Sequence, residues 1–331
     1  MTAPPDPMRE DTVTIRYQIR AVFLAFAVSC IACAPISPAM AAEAAPVKTI
    51  HSRHQQRFAT PEAAVQALVT ALRSDDTKRI HHLLGPGSSK LIRSGDAVAD
   101  DQARDRFVAA YERQWKLDRE GDSKATLLLG GNEWPFPFSL VNTRGKWMFD
   151  ARSGAEEILN RRIGRNELAT IQVCLAYVDA QREYALKDGN SNGVHDYAMK
   201  LDSTPGTRDG LYWPTGEGQP PSPLGPLAAK AKAEGYEGVI GEPYHGYFYK
   251  ILTGQGKDAP GGAYDYVVNG QMIGGFALLA YPARWGASGV MTFIVNHDGV
   301  AYQTNLGKET AATASKMTRF NPGSAWSKVQ P

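Results

Sequence analysis

No proline interrupts residues 154–186, and within them Ile158, Leu168, Ile171, Leu175, Val178 and Ala185 recur at close to the 3.6-residue period of an α-helix. One long helix is expected there, bridging whatever folds on either side of it. Gly164 is the position at which such a helix would bend. With 331 residues the chain has room for two domains of ordinary size around that bridge, each able to bury its own core.

Ahead of the helix, residues 58–152 read as a small α+β domain. Thr60-Pro61-Glu62-Ala63 supplies a cap and a proline at the first helical position, and Ala64, Leu68, Ala71 and Leu72 continue it as an amphipathic helix over residues 61–73. Ile80, Leu83 and Leu84 mark a second short helix, stopped by Gly85-Pro86-Gly87. Residues 101–116 read as a third, with Phe107, Tyr111 and Trp115 on one face. Residues 124–129, 138–142 and 146–149 are short apolar runs divided by Gly130-Gly131-Asn132 and Thr143-Arg144-Gly145, which predicts antiparallel strands. Helices followed by strands, ending in Gly145-Lys146-Trp147-Met148-Phe149-Asp150, resemble the cone-shaped NTF2-like domains.

Beyond the long helix, turns dominate as far as Gly246, in keeping with a chain of 32 glycines and 21 prolines. Residues 247–253, 264–268, 275–281, 290–296 and 300–305 are then β-rich, and Asn296-His297-Asp298-Gly299 reads as a hairpin turn. A long helix followed by such a meander predicts an antiparallel sheet packed on that helix over residues 153–331.

The start of the chain has a different character. Residues 21–34 form an apolar run behind Arg16 and Arg20, broken by Pro35 and Pro38 and followed by Ala39-Met40-Ala41. That is the succession of a secretory signal over residues 1–41, with cleavage expected between Ala41 and Ala42. The run falls short of the ~20 apolar residues of a spanning helix, so a periplasmic or secreted protein without a transmembrane anchor is expected. Residues 1–17 are long and proline-rich for a signal, which makes Met8 an alternative start. Lipidation at Cys30 or Cys33 is the competing reading, although neither has a leucine three positions earlier. Once the signal is removed only Cys174 remains, which excludes an intramolecular disulfide. Residues 42–57 read as a disordered leader, in which His51 and His54 are taken as a solvated pair rather than metal ligands. Lys+Arg 36 against Asp+Glu 34 leaves a formal charge of +2, which makes no electrostatic case for nucleic acid.

Several blocks of the second half carry a resemblance. They are Asp209-Gly210-Leu211-Tyr212-Trp213-Pro214, Ser222-Pro223-Leu224-Gly225-Pro226, His245-Gly246-Tyr247, Gly261-Gly262-Ala263-Tyr264-Asp265-Tyr266, Gly274-Gly275-Phe276-Ala277-Leu278 and Phe293-Ile294-Val295-Asn296-His297-Asp298-Gly299. With them the chain, over residues 58–326, resembles the bacterial DUF2950 family. The resemblance implies an exported protein and supplies no reaction. The order of long helix, Asx-rich loop, irregular stretch and terminal meander is also similar to the globular part of type IV pilins and pseudopilins. The hydrophobic first half of the pilin helix is missing here, so a filament subunit built on that helical core is not expected.

Two constellations carry candidate chemistry. In Asp188-Gly189-Asn190-Ser191-Asn192-Gly193-Val194-His195-Asp196 the first six positions match D-x-[DN]-x-[DN]-G. Asp188, Asn190, Asn192, the Val194 carbonyl and Asp196 stand where a calcium loop places its oxygens, with Gly193 at the sharp turn. Met199 occupies the twelfth position, where a bidentate Glu belongs, so Asp202 or Asp209 would have to complete a structural Ca2+ site. The plain alternative is an Asx-rich turn ending the helix. The second constellation is Asp209, Tyr212, Trp213, Tyr244, His245 and Tyr247, aromatic and polar groups in glycine-rich loops that would line a ligand or partner groove or wedge those loops onto the sheet. Cys174 beside Val173 and Leu175 reads as a buried small hydrophobe rather than a nucleophile served by His245 or His297. His297 reads as a turn residue, Ser288 lacks the spacing of a nucleophile elbow, and no metalloprotease, P-loop or dinucleotide motif occurs.

These readings favour a non-catalytic envelope protein that binds a partner protein or small ligand, with Ca2+ as its one candidate cofactor. The alternative is an exported hydrolase with a loop-borne site near Asp209, Tyr212 and His245.

Overall fold

The computed structural model describes residues 55–86, 88–150, 154–190, 192–237 and 241–330, with Glu157 described by its backbone alone. The export signal, Cys30, Cys33, His51, His54 and Ser191 lie outside these residues. The first described residues do not belong to a free leader: Gln55 Nε2 donates to the carbonyls of Leu83 (3.0 Å) and Phe149 (2.7 Å), and Phe58 bridges to Trp147. One amide side chain with two donors thus ties residue 55 to a helix and a strand at once.

The first helix, α1 (Pro61–Arg73), starts as its sequence dictates: Thr60 accepts from the Ala63 N–H at 3.2 Å, and Pro61 sits where no intrahelical donor is needed. Asp76 caps α2 (Thr77–Leu84), and the short α3 (Ser89–Ile92) follows. Asp96 caps α4 (Ala97–Arg113), which begins and ends before the expected residues 101–116. Gln114 is extended (φ −168°, ψ 140°), and Trp115 opens a strand, β1 (Trp115–Glu120), that the helical spacing of Phe107, Tyr111 and Trp115 concealed. The Tyr111 and Trp115 rings still stack, with centroids 5.3 Å apart, so a contact of helical spacing survives across a change of element.

Next come β2 (Lys124–Leu129), β3 (Trp134–Pro135), β4 (Leu140–Thr143) and β5 (Lys146–Phe149), antiparallel in the order β1-β2-β4-β5 with β3 on β2. Alternation in β2 turns Ala125, Leu127 and Leu129 into the core shared with α1 and α2.

The long helix α5 (Ala155–Leu186) is continuous over 32 residues, about 50 Å. Gly164 neither breaks it nor answers a steric need, since a Cβ there would meet nothing within 4 Å. Its buried face differs from the apolar stripe. Leu168 and Leu175 are exposed (67% and 37%), whereas Thr170, Cys174, Tyr177, Gln181 and Tyr184 are buried. The polar members of that face are satisfied: Tyr177 Oη donates to the Ala277 carbonyl, and Gln181 exchanges hydrogen bonds with both backbone groups of Ala198. Ala155, Ile158 and Leu159 pack on the N-terminal core, and Cys174, Tyr177 and Tyr184 belong to the C-terminal one.

The remainder comprises α6 (Gly225–Ala233), β6 (Tyr247–Leu252), β7 (Gly254–Gln255), β8 (Tyr264–Asp265), β9 (Val267–Val268), β10 (Gln271–Met272), β11 (Ala277–Pro282), β12 (Thr292–Asn296), β13 (Ala301–Thr304), α7 (Thr310–Lys316), β14 (Arg319–Phe320) and β15 (Ser327–Lys328). The principal sheet is antiparallel in the order β15-β13-β12-β11-β6. The predicted hairpin joins β12 to β13, with Gly299 at φ +76° donating to the Asn296 carbonyl at 2.9 Å. A small second sheet, β14-β7-β8, includes one parallel pair, and β9 and β10 form a separate hairpin. The molecule is α+β, as the sequence leads one to expect.

Candidate ligand cavity

Beneath α4 lies a cavity of about 470 Å³, bounded by α1 to α3, the edge of the first sheet and the beginning of α5. Its floor is apolar: Leu68, Ile80 and Leu129 are each at most 2% exposed. Phe136 stands in an aromatic cluster on one wall, 5.0 Å from Phe107 and 5.2 Å from Phe138 between ring centroids. None of the 17 residues of α4 is buried, although Phe107, Ala110 and Tyr111 face the N-terminal core. An amphipathic helix ordinarily draws its stability from burying that face, and here part of the face, Ala103, Phe107 and Ala110, also borders the cavity.

The polar part of the lining is almost all arginine. Arg104 and Arg106 come from α4, Arg161, Arg162 and Arg165 from α5, and Asp100 is the one carboxylate among the lining residues. Arg104 is held by Asp101 and by Asp75 at 3.3 Å. Arg162 donates to the Lys90 carbonyl (2.9 Å) and the Leu91 carbonyl (2.6 Å), fastening α3 to α5. Asp100 accepts from the Ser94 N–H at 2.8 Å; burial pushes its carboxyl pKa up, against the pull of that hydrogen bond and of Arg162. Burial lowers the pKa of the Arg162 guanidinium, and the Arg165 charge adds to that shift.

The residues expected to line a groove fall into two networks. Asp209 is the centre of a turn: it accepts from Lys200 Nζ (2.6 Å), from the Thr204 N–H (2.7 Å) and from the hydroxyls of Thr204 and Thr207. The hydrogen bond from Lys200 is the largest cause that holds its carboxyl well below the usual carboxylate range. Tyr212 bridges to Asp202, and Trp213 lies against Tyr184 with the Arg208 guanidinium 5.4 Å from its ring. Tyr244, His245 and Tyr247 gather elsewhere. Tyr244 Oη donates to Glu234 at 3.2 Å, His245 Nε2 lies 3.4 Å from the same carboxylate oxygen, and Tyr247 Oη donates to the Met291 carbonyl. Burial lowers the His245 pKa, partly offset by Glu234. His245 itself is left-handed (φ +51°), a conformation forced by the tight turn that pairs Tyr244 with Tyr247. Cys174 is fully buried with its thiol pushed up to about 12, as expected of an inert core residue.

In the Asx-rich loop Asp188 accepts from the Asn192 N–H (3.1 Å) and the Gly193 N–H (3.0 Å). Asn190 and Asn192 both direct their amides to Asp196, and the Val194 carbonyl accepts from the Asp196 N–H. Asp209, one of the two carboxylates expected to complete a cation site, is held by Lys200 at 2.6 Å. Among the described residues no group of three or more His, Cys, Asp or Glu side chains is placed to hold a metal. No helix of the described residues is long and apolar enough to cross a membrane.

The cavity escaped the sequence reading because its arginines come from two helices more than fifty positions apart. The local signal was present in Arg161, Arg162 and Arg165, a cationic cluster beside Ile158 at helical spacing.

Fold and site together define an α+β protein with an apolar cavity roofed by a helix and rimmed by arginine. The model of one family, described as "Protein of unknown function (DUF2950)", matches residues 55–329, and the chain belongs to that family. No curated protein and no solved structure matches it.

Proposed function

We propose that the chain is an exported, non-catalytic binding protein of the cell envelope whose ligand site is the cavity beneath α4. The observation that carries this reading is a 17-residue helix with no buried residue lying over about 470 Å³ of apolar-walled space. That volume falls within the range of ligand sites, and an apolar occupant would add dispersion contacts to those that Phe107, Ala110 and Tyr111 already make with the core.

The test is saturable binding of a neutral apolar fluorophore to the purified chain, compared with Ala110→Trp, which puts an indole into the space. One-to-one binding that is abolished in a folded Ala110→Trp protein supports the reading. Binding of equal strength in both proteins, or none in either, removes it.

Two further parts of the proposal have their own tests. Export predicts a mature N-terminus at Ala42, read by N-terminal sequencing; a diacylglyceryl-modified cysteine would overturn it. The loop of Asp188, Asn190, Asn192, Val194 and Asp196 is proposed to take a structural Ca2+. What supports it is the gathering of Asn190 and Asn192 on the Asp196 carboxylate, with Asp188 bound to the Asn192 and Gly193 N–H groups of the same loop. A calcium-dependent rise in Tm, absent in Asp188→Ala, tests it. The hydrolase alternative is a loop-borne site near Asp209, Tyr212 and His245, of which His245 lies 3.4 Å from the Glu234 carboxylate; an esterase and peptidase panel in which wild type and His245→Ala are equally inactive disposes of it.

A further inference from the structure

We infer that the cavity takes a single-chain amphiphile with an anionic head group, the tail on the floor beneath α4 and the head among the arginines of α4 and α5. This rests on the binding reading above and adds the chemical class of the ligand.

The lining divides sharply. Among the described residues every lining side chain that is not apolar is charged, five arginines and Asp100. A site for a neutral polar ligand would instead present hydroxyls and amides. Exposure orders the two parts: Arg106 and Arg165 are exposed at the mouth, while Leu68, Ile80 and Leu129 form the closed end. A ligand that satisfies both must be apolar at one end and anionic at the other.

Among the described residues two of the arginines at the mouth have no carboxylate partner. Asp75 and Asp101 meet Arg104, and Arg162 stands against Asp100 while donating to two carbonyls. Among the described residues Arg106 reaches the neutral Gln102, at 3.4 Å, and neither it nor Arg165 is in an ion pair. Arg165 and Arg162 repel one another. An anion between the two helices relieves that repulsion, and the guanidinium fork matches a carboxylate or phosphate. A volume of 470 Å³ lies toward the small end of ligand sites, which fits one acyl chain rather than a two-tailed lipid.

The experiment is displacement of the apolar fluorophore from the purified chain by dodecanoate, dodecyl phosphate, dodecan-1-ol and inorganic phosphate. At least one of the two anionic amphiphiles should bind ten times more tightly than the alcohol, as expected for a charge-assisted hydrogen bond. Each methylene removed from that ligand should weaken it about fourfold. Arg106→Gln with Arg165→Gln should bring its affinity down to that of the alcohol and leave the alcohol unchanged. Both positions are exposed and, among the described residues, in no ion pair, so the variant keeps the fold. Equal binding of the anionic ligands and the alcohol overturns the head-group assignment and leaves the binding reading standing. Displacement by inorganic phosphate alone overturns the amphiphile in favour of a plain anion site. If neither the fluorophore nor any dodecyl ligand binds, the binding reading fails with it.

Discussion

Asp96 offers the most demanding test of how the two halves are joined. Its side chain is fully buried, and its carboxylate serves three parts of the chain. Oδ1 accepts from the Ala99 N–H at 2.9 Å as the cap of α4, and Oδ2 accepts from Tyr236 Oη (2.9 Å) and from the Gly246 N–H (2.7 Å). Replacing it with alanine removes a helix cap, which costs about 1 kcal/mol. It also leaves the Tyr236 hydroxyl and the Gly246 N–H unsatisfied in a desolvated place, at about 1–3 kcal/mol each. Asp96→Ala should therefore cost roughly 3–7 kcal/mol, a large part of the ~5–15 kcal/mol that holds a domain folded. Asp96→Asn keeps an acceptor for the cap but sets an amide donor against a backbone donor, so an intermediate cost is expected. Tyr236→Phe removes one donor and leaves the carboxylate with two, at about 1 kcal/mol. Combined with Asp96→Ala it should add little, because its partner is already gone. Urea denaturation at neutral pH measures all four variants. A cost below about 1 kcal/mol for Asp96→Ala, with an unchanged m-value, would refute the account of this carboxylate as the joint between the halves.

Gly246→Ala should destabilise by about 2 kcal/mol or more, since φ is +75° and the added Cβ would lie 2.6 Å from Asn166 Nδ2 and 2.8 Å from the Ser288 Cβ; thermal melts measure it, and a neutral result would mean the turn relaxes freely. Cys174 should resist maleimide at pH 8 in the native protein and react on unfolding, in a background with Cys30 and Cys33 removed; labelling of the native state at the rate of a free thiol would contradict its burial and its pKa of about 12. Burial lowers the His245 pKa below the ordinary 6.5, so the unfolded chain binds that proton more readily than the folded one. Its contribution to stability is then present above about 6.5 and is lost as pH falls through the window beneath it. Tm measured from pH 7.5 to 5.0 should fall less steeply in His245→Gln than in wild type; His81, shifted in the same direction, keeps part of the slope in both.

What the sequence by itself determined is whatever depends on neighbours along the chain. The cap and first-turn proline of α1, the period-two run of β2, the turn at Gly299 and the limits of α5 follow from interactions spanning a few residues, so each could be read directly. Cys174 belongs with these, because a small thiol amid apolar neighbours on a helix has little alternative to burial. The same local logic misled where two elements share a pattern: Trp115 keeps its i, i+4 contact with Tyr111 whether it ends a helix or, as here, begins a strand.

Tertiary structure alone decided which face of α5 is buried, setting Tyr177 and Gln181 inside and Leu168 outside because partners 100 and 17 positions away satisfy the two polar groups. It also decided that Asp96 would meet Gly246 across 150 positions, and that Asp209 would close on Lys200 rather than on the Asx-rich loop. The cavity is the clearest case. Arginines of α4 and α5 are unremarkable surface charges when each helix is considered alone. They become the rim of one apolar space only when the fold brings the two helices together, and no local preference encodes a distance between residues so far apart in the chain.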